Sequence, residues 1–163
     1  MSIIPASCAA ALKTACAFCL CFMLPQTACA ATPPPDACAL FTASQVSRVL
    51  GVIVTAGQHA ISSSLLLCAW SPPGGAQIDG KKLTVNLMTE RAFEVGKAHA
   101  HGVAKPALSG VGDDSYFAAA GSLGTSLCIK TGGKYVRIRV GGFPPEKQKE
   151  LERALALQML TKL

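Results

Sequence analysis

The sequence predicts an α+β fold, with a mostly antiparallel sheet of five to six strands packed by two to three helices. The apolar patterns follow the order helix, three strands, helix, three strands, helix. Turn signals are frequent between the strands and few segments are long enough for a parallel crossover, which favours antiparallel pairing. After a leader of thirty residues, 133 of the 163 residues remain, enough for one domain and too few for two.

The first folded element is a short helix that begins after Thr42. The Thr42 hydroxyl can cap this helix while the Gln45 side chain reaches back to the cap residue, as in a capping box. Apolar residues then recur at helical spacing until Gly51, which ends the helix. These apolar residues are Val46, Val49 and Leu50.

Three strand candidates follow this helix. Val52–Thr55 is a brief candidate, and Leu65–Trp70 is an apolar run that ends at a breaker rich in proline and glycine. Between them, the polar stretch Gly57–Ser64 predicts a loop that can also hold an edge strand. Lys81–Thr89 alternates apolar and polar residues, which predicts a half-buried strand. The apolar side of that strand comprises Leu83, Val85 and Leu87.

A second helix is predicted from Thr89 and Glu90 to about Ala100. Ala92, Phe93 and Ala100 are expected near one face of this helix, and Gly96 weakens it by about 1 kcal/mol relative to alanine. The tight turn Gly110–Asp114 then leads into a short strand over Ser115–Ala119.

The last part of the chain predicts a β-hairpin and a third helix. Ser126–Lys130 and Lys134–Val140 flank the turn Thr131–Gly133. The second arm alternates, so one of its faces is expected to be wet. The polar side of that arm comprises Tyr135, Arg137 and Arg139. Pro144–Glu146 begins a helix with an acidic first turn and a basic end at Lys162, as the helix dipole favours.

The first thirty residues have the three parts of a secretory signal peptide. Lys13 supplies a positive charge, Ala15–Leu24 form an uncharged apolar run, and Ala28–Ala30 provide a small-residue cleavage site. The run is too short to span a bilayer, which takes about 20 apolar residues. The sequence therefore predicts an exported protein, periplasmic or secreted, with a proline-rich spacer over 31–36 and a single α+β domain over 37–163.

Cleavage before Cys29 would give the exported chain an alternative N-terminus. Thr27 and Ala28 before this cysteine suit the last positions of a bacterial lipobox, in which the cysteine is lipidated and anchors the protein. Gln26, however, stands where such a box has leucine or another aliphatic residue. Cleavage after Ala30 by an ordinary signal peptidase is therefore favoured over lipidation of Cys29.

Removing the leader changes how the composition is interpreted. Five of the eight cysteines leave with it, and the net charge falls from +6 to +5 because Lys13 is its one charged residue. The remaining basic residues are interspersed with acidic ones, without the block of like charges that marks a nucleic-acid arm. No later stretch approaches the length of a transmembrane helix. The composition thus argues against a nucleic-acid partner and against a membrane span in the mature chain.

Three cysteines remain after export, and they allow three single disulfides. Cys38 lies just before the first helix and Cys68 in the first long strand, where a bridge would pin the N-terminal segment to the sheet. Closing that loop would stabilise the fold by about 3–4 kcal/mol. Cys128 is expected to be a buried small hydrophobe. The alternatives for Cys128, a nucleophile or a dimer-linking thiol, lack an activating base or Cys-x-x-Cys spacing nearby.

The histidines offer a weak candidate metal site. His99 and His101 would point about 200° apart in a helix, but an extended segment could turn both to one side, where Asp113 or Asp114 could complete a site, with His59 as a further ligand. This spacing matches no specific metal motif, so surface histidines are favoured. Asp113 and Asp114 are adjacent and would diverge in a strand, and serine-nucleophile motifs are absent from the sequence. The sequence assigns no catalytic residue and no cofactor.

Several short motifs, taken in their order and spacing, resemble those of a known group of proteins. They are Asp36–Thr42, Gln45-Val46, Leu50-Gly51, Cys68–Trp70, and Gly110–Phe117 with the hairpin to Val140. Together they resemble small exported bacterial domains of unknown function, among them actinobacterial lipoproteins and the extracellular sensor domains of some Ser/Thr kinases. The resemblance covers most of residues 36–160. It implies a Cys38–Cys68 disulfide and an α/β sandwich akin to PsbP-like or Mog1-like folds, and it implies no catalytic residues.

Three functions are compatible with these observations. The favoured one is a non-enzymatic envelope domain that binds a protein, glycan or lipid partner. The alternatives are a small secreted hydrolase that uses Cys128 or a His99/His101/Asp113 site, and a secreted inhibitor or effector. Convergent polar groups in one concave pocket would distinguish an active site from a binding surface.

Overall fold

The computed structural model of the protein describes residues 35–74, 80–100 and 108–162. The predicted signal peptide, the possible lipidation site Cys29, most of the predicted spacer and His101 lie outside these residues. Two 3-10 helices cover Ala37–Leu40 and Gly121–Leu123. The remaining elements are α1 (Ala43–Leu50), β1 (Gln58–His59), β2 (Leu67–Trp70), β3 (Lys82–Met88), α2 (Glu90–His99), β4 (Asp114–Ala119), β5 (Thr125–Thr131), β6 (Lys134–Gly141) and α3 (Pro145–Leu160).

The six strands form one antiparallel sheet in the order β1-β2-β3-β6-β5-β4. The long strands β3 and β6 pair along their whole length at the centre, with Leu83 opposite Val140 and Val85 opposite Ile138. This architecture confirms the predicted α+β fold and the order of its elements. In the described residues, moreover, no helix combines the length and the apolar character that a membrane crossing requires.

One face of the sheet carries the main hydrophobic core. Helix α3 packs on this face against β5 and β6, and α1 packs against α3. The capping box of Thr42 and Gln45 forms as predicted, and Gly51 ends α1 with a positive φ of 67°. Because alternate residues of a strand point to opposite faces, the apolar residues of each strand gather on this side. The central ones are Leu83, Val85, Leu127, Ile129, Val136, Ile138 and Val140.

Helix α2 covers only part of the opposite face. Its Phe93 is fully buried in a small cluster with Tyr116 and Cys128, and it also packs against the ring of Tyr135. Gly96 is what allows this close packing, because a Cβ at this position would overlap the Tyr116 hydroxyl. That hydroxyl donates a hydrogen bond of 3.0 Å to the Phe93 carbonyl. The rest of this face lies beside α2 rather than beneath it.

Three local predictions need correction. Val52–Thr55 is not a strand: the Val54 amide donates to the Ser47 hydroxyl, and the Thr55 amide donates to the Ser71 carbonyl, just past the end of β2. Ala92 is exposed, so α2 buries Phe93 with Gly96 and Ala100 partly covered on the same side. Lys162 lies beyond the end of α3, where its ammonium group donates to the Leu40 carbonyl and the Gln45 side chain.

Candidate functional site

A groove of about 390 Å³ lies on the uncovered part of the sheet face beside α2. Two rows of side chains form its floor. In the first row Asn86 stands opposite Arg137, and in the second row Thr84 stands opposite Arg139. The wall comes from the end of β4 and the residues that follow it. The complete lining is Leu67, Thr84, Asn86, Ala118, Ala119, Ala120, Ser126, Arg137 and Arg139.

Arg137 and Arg139 give this groove its charge. They are two residues apart on β6, so both side chains project to the same face of the sheet. Both are half-buried, and their aliphatic stems lie among small neighbours such as Ala118. The Nε atom of Arg137 is buried and has no hydrogen-bond partner within the described part of the chain. A buried N–H group of this kind normally donates to a partner, so Arg137 keeps an unmet donor at the inner edge of the groove.

The chemistry of the groove is that of anion binding. Guanidinium groups bind carboxylate and phosphate oxygens with paired hydrogen bonds, and the Thr84, Ser126 and Asn86 side chains can add neutral ones. The nine lining residues include no aspartate, glutamate, histidine or cysteine, so the lining supplies no general base for the hydroxyls of Thr84 and Ser126. The arrangement can therefore hold and orient a negative group.

The predicted interior position of Cys128 is confirmed. It is fully buried and is the free cysteine of the described residues. It stands opposite both Arg137 and Tyr116 in the sheet, under the ring of Phe93. Burial, with Cys128 adding to it, raises the pKa of Tyr116 above its ordinary value. A thiol enclosed in this aromatic cluster has no open path to a substrate.

The Cys38–Cys68 disulfide predicted from the sequence is present. It joins the first 3-10 helix to β2, with the two Cα atoms 5.1 Å apart. Trp70 packs beside it, with its ring edge-on to Phe41. Gly57 makes room for both, because a Cβ there would come within 2.7 Å of the Cys68 sulfur and 2.6 Å of the Trp70 ring.

Sequence reasoning missed a polar contact next to this disulfide. His59 Nε2 lies 2.9 Å from Asp36 Oδ1, and the same oxygen accepts a hydrogen bond of 2.8 Å from the Cys38 amide. The hydrogen bond with His59 is the main reason that the pKa of Asp36 lies below its ordinary value. The two residues are 23 positions apart in the chain, and no local pattern links them.

The other residues predicted as metal ligands each contact a different partner. His99 is exposed at the end of α2, with its Nδ1 2.7 Å from the Val95 carbonyl oxygen. Asp113 accepts a hydrogen bond from the Gly132 amide, whereas Asp114 forms an ion pair with Lys97. The two adjacent carboxylates thus diverge, as expected for neighbours in an extended segment. Because His101 lies outside the described residues, the complete His99/His101/Asp113 set stays a prediction.

A second cavity, of about 370 Å³, lies where β3 ends and β6 begins, beside Pro35 and Asp36. Its lining is mostly apolar, with Leu40, Leu66 and Leu87 among its members, and Asp36 and Lys134 provide charged groups. It contains no set of convergent polar side chains comparable with the groove.

The fold and the groove together define a small α+β domain with two half-buried arginines in a groove on one face of its sheet. Comparison of the chain with protein-family models, with curated proteins and with solved structures gives no match. The resemblance to exported domains of unknown function therefore stays a prediction from the motifs.

Proposed function

We propose that this protein is an exported, non-enzymatic envelope domain that binds an anionic partner through the groove of Arg137 and Arg139. The single observation that carries the proposal is the pair of half-buried arginines, Arg137 and Arg139, in a concave floor whose lining contains no carboxylate. Half-buried positive charges are normally paired with a negative group, and the lining of the groove supplies none. An external carboxylate or phosphate would neutralise both guanidinium groups.

The shape of the groove favours a chain-like ligand, an anionic envelope polymer, over a flat membrane surface. Membrane-surface proteins present protruding basic and apolar side chains to the lipid headgroups. Here the two arginines lie half-buried in a concave floor with a small-residue wall at Ala118–Ala120. A single acidic strand can enter such a groove, whereas a bilayer cannot. The excess positive charge expected for the mature chain adds a long-range attraction in the same direction.

The proposal is tested by binding of a polyuronate and of polyphosphate, with uncharged dextran as the negative probe. Arg139→Gln removes one guanidinium from the groove, and we expect about tenfold weaker binding, the usual value of a charge-assisted hydrogen bond. Arg48→Gln is the matched control, because it removes the same charge from exposed Arg48 on α1, away from the groove. Arg137→Lys keeps the charge but loses Nε, and an intermediate loss is expected.

Two outcomes would contradict the proposal. If Arg48→Gln weakened binding as much as Arg139→Gln, the attraction would be diffuse and the groove would not be the site. If the protein bound vesicles of anionic lipid but neither polymer, the ligand would be a membrane surface. Thermal unfolding of each variant shows whether a loss of binding has come from a loss of fold.

A further inference from the structure

We propose that reduction of the Cys38–Cys68 disulfide creates a binding site for a thiophilic divalent cation such as Zn²⁺. The ligands would be the two released thiolates together with His59 and Asp36. This site shares no residue with the groove of Arg137 and Arg139, so either proposal can fail without the other.

The geometry of this corner already brings the donor atoms together. One ligand atom each from Asp36, Cys38 and His59 lie within 4.8 Å of one another. Cys68 supplies the fourth donor, because its sulfur is bonded to that of Cys38. His59 and Cys68 also face each other as register partners of β1 and β2. Two thiolates, an imidazole and a carboxylate form a tetrahedral donor set of the kind that Zn²⁺ takes in proteins.

Other contacts hold these residues in place independently of the disulfide. The Ala37 amide donates a hydrogen bond of 2.8 Å to the Leu65 carbonyl, which ties the 3-10 helix to the start of β2. Ala37 is itself fully buried in the main core. The Ala60 amide donates 3.0 Å to the Leu67 carbonyl, which holds β1 beside β2. We therefore expect the four ligands to stay close together after the sulfur–sulfur bond has broken.

The site is open to an entering ion on the side of His59, Asp36 and Cys38, whereas Cys68 is fully buried at its inner end. The side chains of His59 and Asp36 are 28% and 35% exposed, and Cys38 is half-buried. The backbone amide of Cys38 donates to Asp36 Oδ1 and orients the carboxylate, as outer-shell hydrogen bonds do in zinc sites.

The chemistry balances in two steps. A dithiol reductant attacks the disulfide, the sulfur–sulfur bond breaks, two thiols form, and the reductant becomes a disulfide. Binding of Zn²⁺ then forms two zinc–sulfur bonds and releases the two thiol protons, so affinity depends on both reduction and pH. In the oxidised protein the bridge occupies both sulfurs, which leaves His59 and Asp36 as the remaining donors. Two such ligands are too few for tight binding.

The test measures Zn²⁺ affinity by competition with a chromophoric chelator, before and after reduction by a phosphine. His59→Gln and Asp36→Asn keep all eight cysteines of the chain, so cysteines elsewhere contribute equally in every sample. We expect the reduced wild type to bind one Zn²⁺ at least about tenfold more tightly than either reduced variant. Equal affinity in reduced wild type and His59→Gln would overturn the proposal, and so would equally tight binding by the oxidised protein.

Two controls keep the result interpretable. Cys128→Ser removes a thiol buried in the α2 cluster and should leave the zinc affinity unchanged; a matching loss would place the metal elsewhere. Far-ultraviolet circular dichroism follows the fold during reduction. If reduction unfolds the protein, Zn²⁺ should restore the spectrum of the wild type but not of His59→Gln. A wild-type spectrum that stays unfolded with Zn²⁺ would also overturn the proposal.

Discussion

Glu152 on α3 should make the stability of this protein fall as the pH rises towards neutrality. Its side chain is fully buried, with Oε1 accepting 3.0 Å from the Val140 amide and Oε2 accepting 3.3 Å from the Thr125 hydroxyl. Burial is the main effect, and it raises the pKa of this carboxyl from 4.5 to about 7, although both hydrogen bonds and the charge of Arg139 act in the opposite direction. The folded protein therefore retains a proton that the unfolded chain releases.

The magnitude follows from this pKa difference. A tenfold change in a protonation equilibrium is worth about 1.4 kcal/mol, so the rise corresponds to about 3 kcal/mol. The folded state binds more protons than the unfolded state between pH 4.5 and about 7. The contribution to the free energy of unfolding is therefore fully present below pH 4.5 and is lost as the pH rises to about 7. Above that pH the term is constant.

Glu152→Gln isolates this pH-dependent contribution to the free energy of unfolding, because glutamine retains an oxygen acceptor for the Val140 amide and does not titrate. We expect the difference in free energy of unfolding, wild type minus variant, to fall by about 3 kcal/mol between pH 4.5 and 8. Urea unfolding at several pH values measures it. Glu150→Gln is the control, because Glu150 is exposed on the same helix and should leave the pH dependence intact. Parallel pH profiles for wild type and Glu152→Gln would refute the reasoning.

Two further predictions concern packing and the covalent bridge. Gly96→Ala should destabilise the protein by about 1–3 kcal/mol in thermal unfolding, despite the better helix propensity of alanine, because the new Cβ overlaps the Tyr116 hydroxyl. Tyr116→Phe removes that hydroxyl and should reduce the penalty of Gly96→Ala; an unchanged penalty would contradict the proposed clash. The double replacement Cys38→Ser with Cys68→Ser should cost about 3–4 kcal/mol in urea unfolding, and an unchanged midpoint would show that the bridge contributes no stability. A thiol titration of the denatured protein without its predicted leader should then find Cys128 as the free thiol both before and after this change.

Local chemistry in the sequence was enough to predict most elements of the fold. The Thr42–Gln45 capping box and the helix end at Gly51 depend on residues within one or two turns, so their signals are contiguous in the chain. The alternation along β6 likewise predicted a buried side and a wet side. By contrast, Val52–Thr55 has the composition of a strand but does not form one. Its Val54 amide donates a hydrogen bond to the Ser47 side chain instead of to a neighbouring strand.

The candidate sites depend on contacts between distant residues. The sequence alone predicted an exposed face on β6, but the groove exists because α2 covers only the end of that face around Tyr116 and Cys128. The pair of Asp36 and His59 forms only when β1 joins the sheet edge beside the 3-10 helix.

The sequence by itself therefore determined the α+β class and the order of the elements, because periodicity and capping are local signals. Cysteine placement and the resemblance pointed to the Cys38–Cys68 bridge, and the tertiary structure joined its ends, which are 30 residues apart in the chain. The tertiary structure decided which charged side chains became buried. Glutamate is usually a surface residue. Glu152 is nevertheless enclosed, because its position on α3 faces the sheet, where the Val140 amide and the Thr125 hydroxyl donate to it. Burial is a property of the assembled layers, since it depends on what packs above a residue rather than on its neighbours in the chain.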